Sequence, residues 1–332
     1  MFGRDYQFWM GNRHATKMKK YTDDPSEIDD GNFWAVLTTF EGQYHFAQFK
    51  NVEESAFPHS EWSVLQRPWR SSLEELDYLS YVHAIRQEIG RGGVYQVNAC
   101  RELSHLIDKK EHSLAGLFSR MQGANPAPFA SYLKIPGFEV ASASPERFLS
   151  RRGKEILTSP IKGTIRWDQN DFGEKDKAEN LMIVDLMRND ISRIAVDGSV
   201  AVSELFRREK HPGLTHLVSD VRAEIKEGAT WREILAATTP PGSVSGAPKS
   251  SALTMIAEHE PTPRGPYCGA IGWIHGDQAE LAVAIRTFWT TGDEWLRYGT
   301  GAGITWGSEP ALEWEETQLK ARTLIAIAGG TL

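Results

Sequence analysis

The chain has 332 residues, 40% of them hydrophobic and 24% charged, the composition of a globular protein with a sizeable core. Its formal net charge of −7 comes with no basic stripe, which argues against a nucleic-acid partner. No apolar run is long enough for a membrane span and the start "MFGRDYQFWMGNRH" has no signal-peptide core, so a cytoplasmic protein is expected.

In chain order, the cationic run "RHATKMKKY" shows no clear periodicity and reads as a solvated edge. Residues 33–49 read as two aromatic-rich strands around a Gly-containing turn. Residues 72–90 carry apolar positions at helical spacing from a Ser cap to a Gly stop. A helical "HSLAGLFSRM" follows, then a Pro-rich loop, then strand-like sequence over 129–165. Residues 175–196 give the clearest helix, with Leu181, Val184, Met187, Ile191 and Ile194 on one stripe. Residues 267–306 read as a strand meander, and a last helix spans about 311–328. Strand meanders broken by single helices predict one α+β domain over 1–332, with residues 1–70 its least defined part. The cysteines, Cys100 and Cys268, have no metal-ligand spacing and fit buried thiols in a reducing compartment.

Several constellations carry chemistry. Asp176 and Glu179 share a helix face, as do Glu313, Glu316 and Lys320. Acids in first helical turns suit the helix dipole, but two such pairs could also converge on Mg²⁺. "PPGSVSGAPK" and "YGTGAGITWG" lack a nucleotide-binding pattern and read as tight turns or as backbone amides approaching an anion. His211 and His216 fit acid–base, ligand or polar-core roles. Arg286, in the apolar "AVAIRTFW", calls for an anionic partner such as a substrate carboxylate. Lys162, beside Gly163 where a strand ends, is either a snorkelling surface residue or an amine entering a pocket. Spacing alone leaves both open.

The motifs "SPERF", "PIKGT", "KDKAENLMIVDLMRND", "HPGLTHLVS", "PPGSVSGAPK", "CGAIGW", "AIRT" and "GAGI" with "EPALEWEETQLKA" together resemble the chorismate-utilising enzymes. That family includes anthranilate, aminodeoxychorismate, isochorismate and salicylate synthases, and the resemblance covers residues 75–328. It implies an α+β fold of two large packed antiparallel sheets flanked by helices, with the active site between the sheets. Carried over residue by residue, it makes Glu179 and Glu316 Mg²⁺ ligands supported by Asp176 and Glu313. Arg286, Tyr267, Lys320 and the amides around Gly301 and Gly303 would hold the enolpyruvyl carboxylate. The ring carboxylate would lie near Gly163 and Thr164, His216 rather than His211 would be the active-site histidine, and Glu146 the general acid. Gln96 stands where the water-using members carry a lysine base. Lys162, in PIKGT where anthranilate synthases usually read PIAGT, marks the aminodeoxychorismate branch as a covalent nucleophile. The resemblance further implies ammonia supplied by a separate glutamine amidotransferase subunit and a product destined for p-aminobenzoate and folate. The competing expectations are an anthranilate synthase and a non-catalytic chorismate-binding protein.

Overall fold

The computed structural model of the chain describes residues 5–166, 172–211 and 214–332. Among the described residues the long helices are α1 (Glu75–Arg91), α2 (Leu114–Ala124), α3 (Glu174–Ser192), α4 (Trp231–Thr238), α5 (Lys249–His259) and α6 (Pro310–Ala328). Their ends follow local chemistry. Gly92 closes α1 in the left-handed region at φ +81°, Thr230 and Glu233 form a capping box on α4, and Pro310 opens α6. None of these helices is long and apolar enough to cross a membrane.

Among the described residues the strands form one eighteen-stranded antiparallel array and a separate two-stranded pair, Leu65–Pro68 with Gly329–Thr331. Ladders run unbroken from Gln96–Leu106 through Trp295–Ile304, Thr287–Thr290, Phe138–Ser144, Phe129–Ile135, Gln7–Met10 and Arg13–Thr22. They continue through Tyr44–Glu54, Phe33–Thr38, Ala270–His275, Gln278–Val283, Arg147–Arg152 and Glu155–Ser159 to Leu214–Glu224 and Ala201–His211. The expected α+β class holds, and the two sheets are continuous in their hydrogen bonding. The array curls far enough that its two ends face each other, and Lys162 from one end reaches Gly303 near the other. Two apolar clusters fill it, one around Trp34, Phe46, Ile85 and Trp231, the other around Trp62, Trp69, Phe118 and Tyr132.

Three readings need correction. The run "RHATKMKKY" lies in the strand Arg13–Thr22, with His14, Ala15 and Met18 buried. Its two-residue period is hidden because Lys17 sits at φ +60° and the register shifts between Met18 and Lys20. On α3 the buried stripe runs through Ile183, Val184, Met187 and Ile191, whereas Leu181 is 48% exposed. Arg286 lies in no strand. It follows Val283, the last residue of Gln278–Val283, and turns the chain at φ +52° into Thr287–Thr290.

Candidate active site

The strand Ile161–Arg166 pairs with Leu214–Glu224, but its register slips between Ile161 and Thr164. Gly163 sits in this bulge at φ +85°, which glycine adopts without strain. A Cβ at Gly163 would also meet the Asp176 Cβ at 2.9 Å and the Phe172 ring at 3.1 Å, so the strand can approach α3 only as glycine. The bulge takes Lys162 out of the regular alternation. Its Nζ lies 3.6 Å from where a Cβ of Gly303 would be, on the strand Trp295–Ile304 near the other end of the array. The Gln96 amide nitrogen is 2.5 Å from that same point. The absence of a side chain at Gly303 is therefore what leaves room for the lysine and glutamine to meet.

Burial pushes the Lys162 amine below the ordinary lysine range, and neighbouring Lys320 adds to this. The carboxylates of Glu179, Glu146 and Glu316 pull the other way, and the first of them most. Glu146 sits between the strands Phe138–Ser144 and Arg147–Arg152, where its amide donates to Ser144 Oγ (3.2 Å) and its carbonyl accepts from the Val283 amide (3.1 Å). Its side chain is buried, and that burial pushes its pKa up to about 7. The Ser243 hydroxyl, Lys162, the Ile161 amide and Lys320 each favour the ionised form and limit the rise. A buried carboxyl raised toward neutrality near a desolvated amine has the chemistry to serve as proton donor and nucleophile.

The remaining expected residues fall into two groups. Glu179 on α3 and Glu316 on α6 come from opposite sides to the surroundings of Lys162. Lys320, one turn beyond Glu316, pairs with it at 2.6 Å and donates to the Gly301 carbonyl at 3.0 Å. His216 is buried and stands opposite Thr164 in the ladder. The side chains of Thr164 and His211 lie outside the described part of the structure, as do residues 167–171 of the loop that follows Lys162's strand. Asp176 caps α3 by accepting from the Gly173 amide (3.1 Å), and Glu313 is buried near Tyr78. Tyr267 packs its ring against Gly299, stacks on Trp289 and accepts from the Cys100 thiol at its hydroxyl oxygen. Arg286 is half-buried beside Tyr298, and its desolvation lowers its pKa. Among the described residues no carboxylate pairs with it, as an arginine kept for an incoming anion requires.

Among the described residues no three His, Cys, Asp or Glu side chains gather closely enough to hold a metal by themselves.

One part of the site escapes a reading of the sequence. Arg264, in the loop "PTPRGPYC", is buried and donates to both oxygens of buried Glu260 (2.7 and 2.6 Å), to the Val244 carbonyl (2.9 Å) and to the Asn98 carbonyl (2.6 Å). It ties the loop Gly242–Ala247 to the strand that carries Gln96. The only signal for it in the sequence is the i,i+4 spacing of Glu260 and Arg264, which is weak outside a helix. Arg264→Met strands the Glu260 carboxylate and two carbonyls, and is expected to cost about 3–5 kcal/mol of unfolding free energy. The midpoint of denaturant unfolding measures it. Arg264→Lys should recover little, because an ammonium cannot reproduce the planar fork.

The family model for "chorismate binding enzyme" matches residues 13–326. The chain is 36% identical over 312 residues to aminodeoxychorismate synthase component 1 of Salmonella typhimurium, covering 88% of this chain and 68% of that protein. It is 35% identical over 286 residues to the Escherichia coli protein of the same name, covering 82% and 62%. Anthranilate synthase component 1 of Neisseria meningitidis is 36% identical over 270 residues, covering 78% and 54%. The chain thus spans only part of the length of these curated relatives. Anthranilate synthase component I of Streptococcus pneumoniae shares the fold with a TM-score of 0.80 at 21% identity, covering 97% of this chain and 90% of that one.

Proposed function

Because this chain belongs to the chorismate-binding enzymes, we propose that it aminates chorismate at C4, giving 4-amino-4-deoxychorismate through a lysyl adduct. The observation that carries the reading is Lys162, taken out of its strand by the bulge at Gly163 to end over Gly303, with the buried Glu146 carboxyl among the charges that act on it.

In this mechanism the neutral Lys162 amine attacks C2 of the ring. The C2–N bond forms, the two ring double bonds shift, and the C4–O bond breaks as Glu146 gives its proton to the departing hydroxyl, which leaves as water. Ammonia then adds at C4, the double bonds shift back, and Lys162 leaves C2 as an amine. The extra proton of the incoming nitrogen restores Glu146. Burial serves both partners, since it favours the neutral form of the amine and of the carboxyl alike. Arg286 and Lys320 would hold the enolpyruvyl carboxylate, with Tyr267 and the strand backbone at Gly301 and Gly303 as the wall. Glu179 and Glu316, backed by Asp176 and Glu313, would hold Mg²⁺, whose charge would neutralise the ring carboxylate near Gly163 and Thr164. His216 lines the same ladder and would face that carboxylate. Gln96 offers no base for water addition, which favours ammonia as the nucleophile. The relatives' designation "component 1" supports a separate partner that supplies it, and a glutamine amidotransferase is the chemistry required. The product then serves p-aminobenzoate and folate synthesis.

Relatives named anthranilate synthase component 1 at similar identity favour a second reading, amination at C2 with loss of pyruvate. Incubation with chorismate, Mg²⁺ and ammonium, with and without an aminodeoxychorismate lyase, separates the two. Lyase-dependent p-aminobenzoate is the expected product. Fluorescent anthranilate without lyase would replace the proposal with the second reading.

A further inference from the structure

Lys162 enters the site because its strand is irregular, so something must hold the irregularity in place. In the ladder with Leu214–Glu224, Ile161 stands opposite Val218 and Thr164 opposite His216, which leaves Lys162 and Gly163 facing the single residue Leu217. A slip of one residue would send the lysine to the other face of the sheet. Helix α3 covers this spot. Asp176 meets the bulge at Gly163, and Asn180, four residues on and so on the same helix face, reaches the opposite strand. Asn180 is 0% exposed, a polar residue on a stripe that continues through Ile183 and Met187. Its Nδ2 donates to the Leu217 carbonyl (3.2 Å), and its Oδ1 accepts from the Ser219 hydroxyl (2.5 Å). Ser219 Oγ in turn accepts from the Phe206 amide (3.0 Å), so its own proton is left for Asn180 and the carboxamide has one orientation. The Ser219 amide donates to the Pro160 carbonyl (3.3 Å), just before the strand of Lys162 begins.

We propose that Asn180 is a positioning residue for Lys162: its carboxamide, bridging α3 to Leu217 and Ser219, holds the bulge in the register that turns the lysine into the site. This rests on the reading of Lys162 as nucleophile. A buried carboxamide costs free energy unless its polar atoms are paired, and a leucine of similar shape would serve the apolar stripe as packing. What leucine cannot do is distinguish one backbone carbonyl of the facing strand from the next. The amide does, and the carbonyl it takes belongs to the residue opposite the bulge. Buried asparagines set the register of coiled coils by the same selectivity.

The test uses the full chain with chorismate at saturating Mg²⁺ and ammonia withheld, and follows by intact mass the rate at which Lys162 takes up chorismate minus water. Wild type, Asn180→Leu, Ser219→Ala and Ser219→Thr are compared, each well below its own unfolding midpoint. Measuring the rate against chorismate concentration separates its maximum from the apparent affinity. Asn180→Leu is expected to lower the maximum by about 10–100-fold, the scale of a misplaced reacting group, with the apparent affinity changed less than about twofold. Ser219→Ala frees the carboxamide to turn and is the milder probe, expected to lose about two- to tenfold. Ser219→Thr, which keeps the hydroxyl, recovers that loss. A wild-type maximum in folded Asn180→Leu, or in Ser219→Ala where the leucine variant does not fold, overturns the inference. So does a loss that falls on affinity alone, the mark of a distorted substrate pocket, or a Ser219→Ala loss that threonine leaves unchanged. Wild-type protein that never carries the increment on Lys162 overturns instead the reading of Lys162, before any variant is compared.

Discussion

Lys162→Ala loses amination of chorismate by on the order of 10³-fold in kcat, while chorismate still binds, because the variant removes the attacking atom and keeps the anion-binding groups. On the proposed function the loss is that of a nucleophile, and the geometry argues against a packing defect. Lys162 leaves its strand through a bulge at Gly163 and ends over Gly303, where the site has room because no Cβ is present. Shortening it creates space against a polar wall of Gln96, Glu146 and Glu179, and the strand ladder with Leu214–Glu224 is untouched. Steady-state assays for aminodeoxychorismate, coupled to the lyase, read the loss. Thermal unfolding of the same variant is expected to shift little, and to move upward if at all, since a desolvated amine is removed. A variant that retained more than a tenth of wild-type turnover would remove Lys162 from the chemistry.

Glu146→Gln is expected to lower kcat by about 10²–10⁴-fold, the usual contribution of a general acid, and at the same time to stabilise the fold in neutral and alkaline buffer. Both effects follow from one fact, the burial that pushes the carboxyl pKa from the usual range up to about 7. Below the unfolded-state value near 4.5, folded and unfolded chains both keep the proton and the group costs nothing. Between there and pH 7 the unfolded chain ionises while the folded chain stays protonated, so stability falls as pH rises, by up to about 3 kcal/mol at 1.36 kcal/mol per unit. Above pH 7 the loss is complete. The neutral amide escapes it. Denaturant unfolding of wild type and Glu146→Gln at pH 4.5 and pH 8 checks this: near-equal stabilities at the lower pH and a more stable variant at the higher one. In wild type the kcat profile with saturating ammonia falls on a basic limb near pH 7, because only the protonated carboxyl can deliver a proton. Equal pH dependence of stability in both proteins would show that Glu146 is not the strained acid described here.

The sequence is most informative where periodicity and special residues agree. α3 and α6 are legible from apolar spacing, and their acids stand out as candidate pairs from the i,i+3 spacing alone. The meeting of Glu179 and Glu316 around Lys162 is a tertiary fact, set by how the two helices pack. Lys162 itself cannot be assigned from spacing, because its environment comes from a bulge and from a glycine 141 residues away in the chain, at position 303. The same non-locality hides the clamp of Arg264 on Val244 and Asn98. The hairpin Gln7–Met10 with Arg13–Thr22 is hidden for a local reason. Lys17 at positive φ and a register shift break the alternation that identifies a strand. The misplacement of Leu181 has a smaller cause: the rest of the stripe is buried as expected, and near the start of α3 a polar residue, Asn180, takes the buried position together with Ile183.

The measurement that most directly tests the central claim is intact-mass analysis of the protein after exposure to chorismate and Mg²⁺ with ammonia withheld. The account predicts a covalent increment equal to chorismate minus water, mapped by peptide sequencing to Lys162, and its discharge as aminodeoxychorismate when ammonium is added. An enzyme that turns chorismate over with ammonia yet never carries that increment, or carries it on another residue, would contradict covalent catalysis by Lys162.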